Sequence, residues 1–393
     1  MQKAALTKYN PDDFAYGLPY RAGLRNRHVI VNVWNTLMNL AVPASADRQP
    51  QAPATRQKQK ASPSLAPSLV SGSRQSCKLL FHEPWWLSAA AGDQHFEWSV
   101  VRGEGLYGKL SFLRTKSKFG FRLLRMPFFT HVLGPMIQSG NGKRQKRLAN
   151  RLSLIRDLLE QLPAYDLCQF AMDPSLDEGL ALGDGLALQE YGFRISPQYT
   201  FLIHSHITID DIWAAMDFKV RQHIRRAEEK YTITEIADPK YFVSFYLNNI
   251  AKLGQKSYFQ FERFPLLFTE CSARSCGVIL AAIRPDGSPA AMTFLVWGHG
   301  VLYYTLSTRV QSASESGSVN LLIWSAIKRA HALGLICDLD GVVSPGIGRF
   351  LGGYGGEVAV RLVATHVKPV YGAMLAVRTR LNSVAAPSNR FTL

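Results

Sequence analysis

The chain of 393 residues contains no run of about 18 apolar residues, so nothing in it reads as a membrane-spanning helix. The nearest approach, positions 28–43, is broken by Asn32, Asn35 and Asn39, and no small-residue cleavage pattern follows a basic leader; no secretory signal is expected. Cysteine is scarce, with Cys77, Cys168, Cys271, Cys276 and Cys337 scattered along the chain. Cys271 and Cys276 are the one close pair, and no second pair or histidine cluster completes a zinc set, so no metal site is expected. A low, odd count fits a reducing cytoplasm, the expected localisation. Also missing are a Gly-x-Ser-x-Gly nucleophile elbow, a Walker loop and a Rossmann glycine fingerprint. The glycines from Gly352 to Gly356 precede a strand rather than a helix. Zinc-finger, helix-turn-helix and RNA-platform motifs are absent too.

Acid is missing from one long block. Between positions 109 and 151 there are eleven Lys or Arg and no Asp or Glu, within a chain of net charge +16. Such a field attracts CoA phosphates, lipid pyrophosphates, nucleic acid or an anionic membrane; the bland alternative is a solvated surface that favours solubility. What is present suffices for cores: hydrophobic residues are 47% and aromatics 11%. Residues 44–76, rich in Ala, Pro, Ser and Gln without an aromatic, read as a flexible linker behind a weakly ordered extension, 1–43.

The folded body is expected from about residue 78. A helix starts at His82-Glu83-Pro84, with proline early in it. Strands at 97–102, 106–115 and 122–126 follow, then a helix over 142–162, a strand at 167–170, a helix ending at Gly192 and a strand at 199–203. The second half repeats the order: a helix over 217–231, a strand at 232–236, helices at 241–253 and 264–271, and strands at 277–284, 289–297 and 301–307. Pro285-Asp286-Gly287 and Gly298-His299-Gly300 supply the turns. A helix over 317–333, a strand at 335–340, a short helix and a closing strand at 357–365 complete it. Both halves read strand, strand, strand, helix, strand, helix, strand at an offset of roughly 170 residues, the pattern of an internal duplication. The expected class is α/β with a mixed sheet in each of two tandem units, 77–210 and 211–372, and a C-terminal tail from 373 to 393.

Four stretches carry a resemblance. They are Phe81-His82-Glu83-Pro84-Trp85-Trp86; Lys118-Phe119-Gly120-Phe121-Arg122 through Leu133-Gly134-Pro135; the helix from Lys219 to Lys230; and Asp338-Leu339-Asp340-Gly341 with Gly348-Arg349-Phe350 and Gly355-Gly356. Together they resemble the FemAB-like branch of the GNAT acyltransferase superfamily. The resemblance implies that each half forms its own sheet, splayed between its fourth and fifth strands, with the acyl donor in the split. It implies an N-acyltransferase moving an acyl group from acyl-CoA, or from aminoacyl-tRNA, to an amine of a cell-envelope or surface-polysaccharide precursor. No coiled-coil arm of the kind that tRNA-using members carry is visible, which favours acyl-CoA as co-substrate, with no tightly bound cofactor. A non-catalytic basic protein binding nucleic acid or anionic membrane is the alternative, and peripheral contact with the membrane's inner face fits the basic first half.

Asp338 and Asp340 stand two apart on a strand and share a face; either could take the proton of an attacking ammonium, or Asp340 could merely cap the Asp-Gly turn. Tyr303 and Tyr304 point to opposite faces of the fourth strand, and Tyr304 is the candidate for protonating a departing thiolate. The donor loop of the resemblance falls at 311–320, where it keeps one glycine. Ser316, Gly317 and Ser318 there could offer backbone N–H groups to a phosphate, or form a plain helix cap. Lys256 and Tyr258 follow Gly254 in a loop that could line the acceptor site. Arg226 lies on the polar side of its helix, and Arg349 could pair with Asp338 or Asp340 or meet substrate.

Overall fold

The computed structural model describes residues 79–102, 105–173, 178–254, 257, 259–311, 317–342 and 344–385. The expected extension and linker, with Cys77, lie outside them. Pro84–Ala91 is the first helix, α1, with proline in its first turn where an N–H would find no partner. Then come β1 (His95–Val101), β2 (Leu106–Lys116), β3 (Arg122–Arg125), β4 (Met136–Ser139), α2 (Arg144–Glu160), β5 (Leu167–Ala171), α3 (Glu178–Glu190) and β6 (Arg194–Ile203). The second half contains α4 (Ile209–Ala215), α5 (Phe218–Lys230), β7 (Thr232–Ile236), α6 (Pro239–Lys252), α7 (Phe264–Ala273), β8 (Gly277–Ile283), β9 (Pro289–Gly298), β10 (Val301–Arg309), α8 (Ser318–Ala332), β11 (Ile336–Val342), α9 (Pro345–Gly352) and β12 (Glu357–Val367). The tail expected after 372 is instead largely helical: α10 spans Pro369–Ala385.

The expectation of a separate sheet in each half is corrected by one 12-stranded sheet, ordered β1-β2-β3-β5-β12-β6-β11-β10-β9-β8-β7 with β4 on β2. Each half gives its last strand to the other. β6 pairs antiparallel with β11 of the second half, and β12 pairs antiparallel with β5 of the first. The two exchanged strands then pair with each other over nine positions, from Glu357↔Leu202 to Thr365↔Arg194. Two lone sheets would each leave an edge of unpaired N–H and C=O groups at this place, and the exchange pairs both edges.

The halves correspond about the β6–β12 seam. In each, a parallel pair (β3 with β5, β10 with β11) follows antiparallel strands, and a helix joins its two members. In the first half the strand before the crossover helix is interrupted. β3 pairs with residues 113–116 of β2 and β4 with residues 106–109, so both lie along one neighbour in one direction. Residues 126–135 leave the sheet between them. α2 is fastened to α3 by a buried bidentate pair, Arg151 Nε and Nη2 donating to Asp184 Oδ1 and Oδ2 at 2.5 and 2.6 Å.

Candidate functional site

β10 and β11 pair at Val301↔Ile336, Leu302↔Cys337 and Tyr303↔Asp338, and then part. Beyond that point β10 stays with β9, through a bulge between Tyr304 and Leu306, and β11 stays with β6. A wedge therefore opens at Tyr303 and Asp338. Between Asp338 and Gly341 the β6–β11 register slips by one residue, and Asp340 takes a left-handed φ of 81°. Such a bulge re-aims the side chain it carries. The two aspartates therefore do not simply alternate along a flat strand, yet they remain in one cluster.

Asp338 is 2% exposed and Asp340 39%. Around Asp338 both carboxylate oxygens are engaged. Oδ1 accepts from the Thr200 hydroxyl and, at 2.9 Å, from the Asp340 N–H; Oδ2 accepts from Arg361 Nη2 at 3.0 Å. The Thr200 hydroxyl also lies 2.6 Å from the Asp340 carbonyl oxygen. Thr200 comes from β6 and Arg361 from β12, so the exchanged strands supply the partners of a β11 carboxylate. Arg361 Nη1 stands 3.9 Å from Asp340 Oδ1. His131, from the 126–135 excursion of the first half, brings Nδ1 to 2.7 Å from the same Oδ1. The two side chains are in close contact there, without the angles of a hydrogen bond.

The excursion holding His131 is braced. Trp86 Nε1 donates to Thr130 Oγ1 at 3.0 Å, and the Leu133 N–H donates to the Ala171 carbonyl at 3.0 Å. His82 Nε2 donates to the Gly134 carbonyl at 3.0 Å while Nδ1 accepts from the Leu79 N–H at 3.2 Å. Burial pushes the His82 pKa down to about 4, so the ring is neutral and its single N–H is committed to the loop. Phe81 stacks on the His131 ring at 6.0 Å, and Phe129 is packed by Phe259, Phe261 and Phe264 of the second half. Arg263 in turn donates to the Ser88 and Ala89 carbonyls near the end of α1, both at 2.7 Å. The aromatic opening stretch of the sequence is thus the prop of a loop.

The other sequence candidates are dispersed. Tyr304 is buried in the core that also holds α5 and α8, on the face away from Tyr303, His131 and Phe81. Gly317 and Ser318 do start α8, but both are buried: a Cβ on Gly317 would stand 2.9 Å from the His223 carbonyl of α5. Ser316, Lys256 and Tyr258 lie outside the described residues. Arg226 is exposed on α5 and Arg349 exposed on α9; the cation that holds Asp338 is Arg361. In the corresponding wedge of the first half β3 and β5 pair only at Leu123↔Leu167 and Leu124↔Cys168, and the residue after the last pair is Gln169 rather than an aspartate. Gln169 there donates to Thr365 Oγ1 at 3.1 Å. Its crossover helix α2, however, has an open N-terminus, preceded by Gly140-Asn141-Gly142 and carrying exposed Lys143, Arg144 and Lys146.

Residues 214–342 match the family model described as acetyltransferase (GNAT) domain. They run from α4 to the end of β11 and include the wedge with both aspartates. The chain therefore carries a GNAT acetyltransferase domain over these residues. Its fold as a whole is FemAB-like: the structure of FemX superposes with a TM-score of 0.55 at 11% identity, covering 75% of this chain and 94% of that one. The C-terminal domain of a putative lysylphosphatidylglycerol synthetase from Agrobacterium fabrum is similar at 13% identity, 76% and 91% coverage and a TM-score of 0.46. A tandem GNAT protein from the clavulanic acid biosynthesis pathway gives 13%, 70% and 84%, and 0.40. No curated protein matched the sequence. In the sequence Asp338 and Asp340 were visible as strand carboxylates; Thr200, Arg361 and His131 were not singled out. Arg361 had a signal, a cation between Val360 and Leu362 in an otherwise alternating strand.

Proposed function

We propose that the chain transfers an acyl group from acyl-CoA, or a similar small thioester, to the amine of an anionic cell-envelope or polysaccharide precursor, and that chemistry occurs in the β10–β11 wedge. The observation that carries this reading is the asymmetry of the two wedges. The second ends on Asp338, Asp340, Arg361 and His131, whereas the first offers Gln169 and Thr365 in the corresponding place. Direct transfer needs an amine without its proton, a polarised thioester carbonyl and a protonated leaving thiol. The amine nitrogen bonds to the carbonyl carbon, the C–S bond breaks, and the nitrogen's proton passes to the base.

Within this reading the base is the His131–Asp340 pair, half-open to solvent, and Asp338 is a positioning group whose oxygens are already taken. Polarisation falls to a backbone N–H of the parted stretch of β10. Thiolate protonation falls to a tyrosine of the wedge, Tyr304 on the α8 side or Tyr303 on the His131 side. The α5 contact covers Gly317 and Ser318, so the open α2 N-terminus is the better-placed receiver for a substrate phosphate or carboxylate. An anionic acceptor fits that placement, and the units 77–210 and 211–372 then divide acceptor binding from chemistry. The test is a mass-resolved screen of thioester donors against amino-sugar and peptide amines, with wild type and Asp340→Asn. Product that forms equally in both removes the assignment. Product that forms only from aminoacyl-tRNA replaces the donor.

A further inference from the structure

We propose that the tip of the β2–β3 hairpin and the outer side of α10 form one docking surface for a bilayer of anionic phospholipid. Among the described residues, Phe119 at the tip is 72% exposed and Val370 in the first turn of α10 is 73% exposed. Phe119 is held outward by its turn. The N–H groups of Phe119 and Phe121 both donate to Ser117 Oγ, at 3.3 and 3.1 Å, and the Gly120 N–H donates to the Ser117 carbonyl at 2.9 Å. Gly120 supplies the left-handed residue, φ 81°, that this closure needs. The hairpin and the helix meet at Phe121 and Tyr371, whose rings are 4.8 Å apart, so the two exposed apolar side chains stand at the same end of the molecule.

Over residues 369–377 the helix is apolar on both sides. Tyr371, Met374 and Leu375 face the core of Leu123 and Leu167. Val370, Ala373 and Val377 are exposed at spacings of three and four, a second stripe with nothing packed on it among the described residues. Around these groups stand exposed Lys116, Lys118, Arg122 and Lys368. The nearby acid, Asp166, is bound by Arg122 through its backbone N–H at 2.7 Å and its guanidinium at 3.1 and 3.2 Å. Among the described residues, four cations thus surround an apolar tip and stripe, and one of them, Arg122, is paired with the carboxylate.

That combination selects lipid. Long lysine stems reach headgroup phosphates while the apolar groups enter the acyl boundary. Valine has no ring on which a base could stack, which argues against RNA. No helix among the described residues is long and apolar enough to cross a membrane, so the contact is interfacial. The surface excludes every residue of the His131–Asp340 cluster, and the docking stands or falls separately from the acyl-transfer reading.

The experiment is co-sedimentation of the full chain with phosphatidylcholine vesicles that contain or lack phosphatidylglycerol. Binding is expected to phosphatidylglycerol vesicles alone and to weaken with salt. The Phe119→Ser/Val370→Ser double variant should partition about tenfold or more weakly. Lys116→Glu/Lys118→Glu should abolish the lipid preference. Melting temperature and transfer to a soluble amine should be unchanged in both. Phe119→Trp provides a second reading independent of those variants, since its fluorescence should shift to the blue on phosphatidylglycerol vesicles alone. The proposal is overturned by vesicle binding equal in wild type and double variant, by absent binding with an unshifted tryptophan, or by variants that lose RNA retention or self-association instead.

Discussion

A carboxylate must be reached by substrate to collect its proton, and access separates Asp338, 2% exposed, from Asp340, 39% exposed. Replacing His131 by Ala or Asp340 by Asn should lower kcat by about 10²–10⁴-fold with donor affinity kept, as measured by steady-state kinetics and calorimetry. Asp338→Ala should instead act on the fold. It leaves the Arg361 guanidinium, which is 2% exposed, with only the more distant Asp340 as counter-ion, and should cost about 3 kcal/mol in denaturant unfolding. His82 gives a pH signature of its own. Its folded pKa of about 4 lies below the 6.5 of an unfolded histidine, so the unfolded chain binds more protons between those values. The stability it contributes is complete above pH 6.5 and is lost as pH falls toward 4, a change of about 3 kcal/mol. Thermal melts over that window should be flatter for His82→Gln.

At the scale of elements, the two crossover helices present opposite N-termini. α8 begins beneath α5, and α2 begins in solvent behind two glycines among exposed Lys and Arg. Lys143→Ala with Arg144→Ala should therefore raise KM for the anionic substrate several-fold and leave kcat unchanged. Much of this layer was legible beforehand. The β8–β9–β10 meander follows from its two glycine-bearing turns, α5 from its apolar spacing, and the parallel placement of β11 from the helix that precedes it. β4 and α4 were missed, being short pieces of four and seven residues. α4 had left a cue in Thr208, whose hydroxyl accepts from the Asp211 N–H. The cluster was only half legible because its members come from four separate segments. Two carboxylates on one strand can be read locally, but the strand order that delivers Thr200, Arg361 and His131 to them cannot.

For the whole molecule, stability is spread over both halves and over the braces between them. Asp184→Ala would leave Arg151 charged and 1% exposed, at a cost of about 3–5 kcal/mol in urea or thermal unfolding. The Arg263 and Phe129 contacts should make the two halves melt in one transition rather than two, as scanning calorimetry would show.

The exchanged strands also fix the order of events on the ribosome. Ala171 waits for Val363, and the inner edge of β5 stays bare until residues 172–363 have been made. Neither half can therefore be transplanted or shuffled alone. Two fragments cut in the segment between β6 and α4 and expressed together should reassemble into working enzyme, whereas each by itself should precipitate.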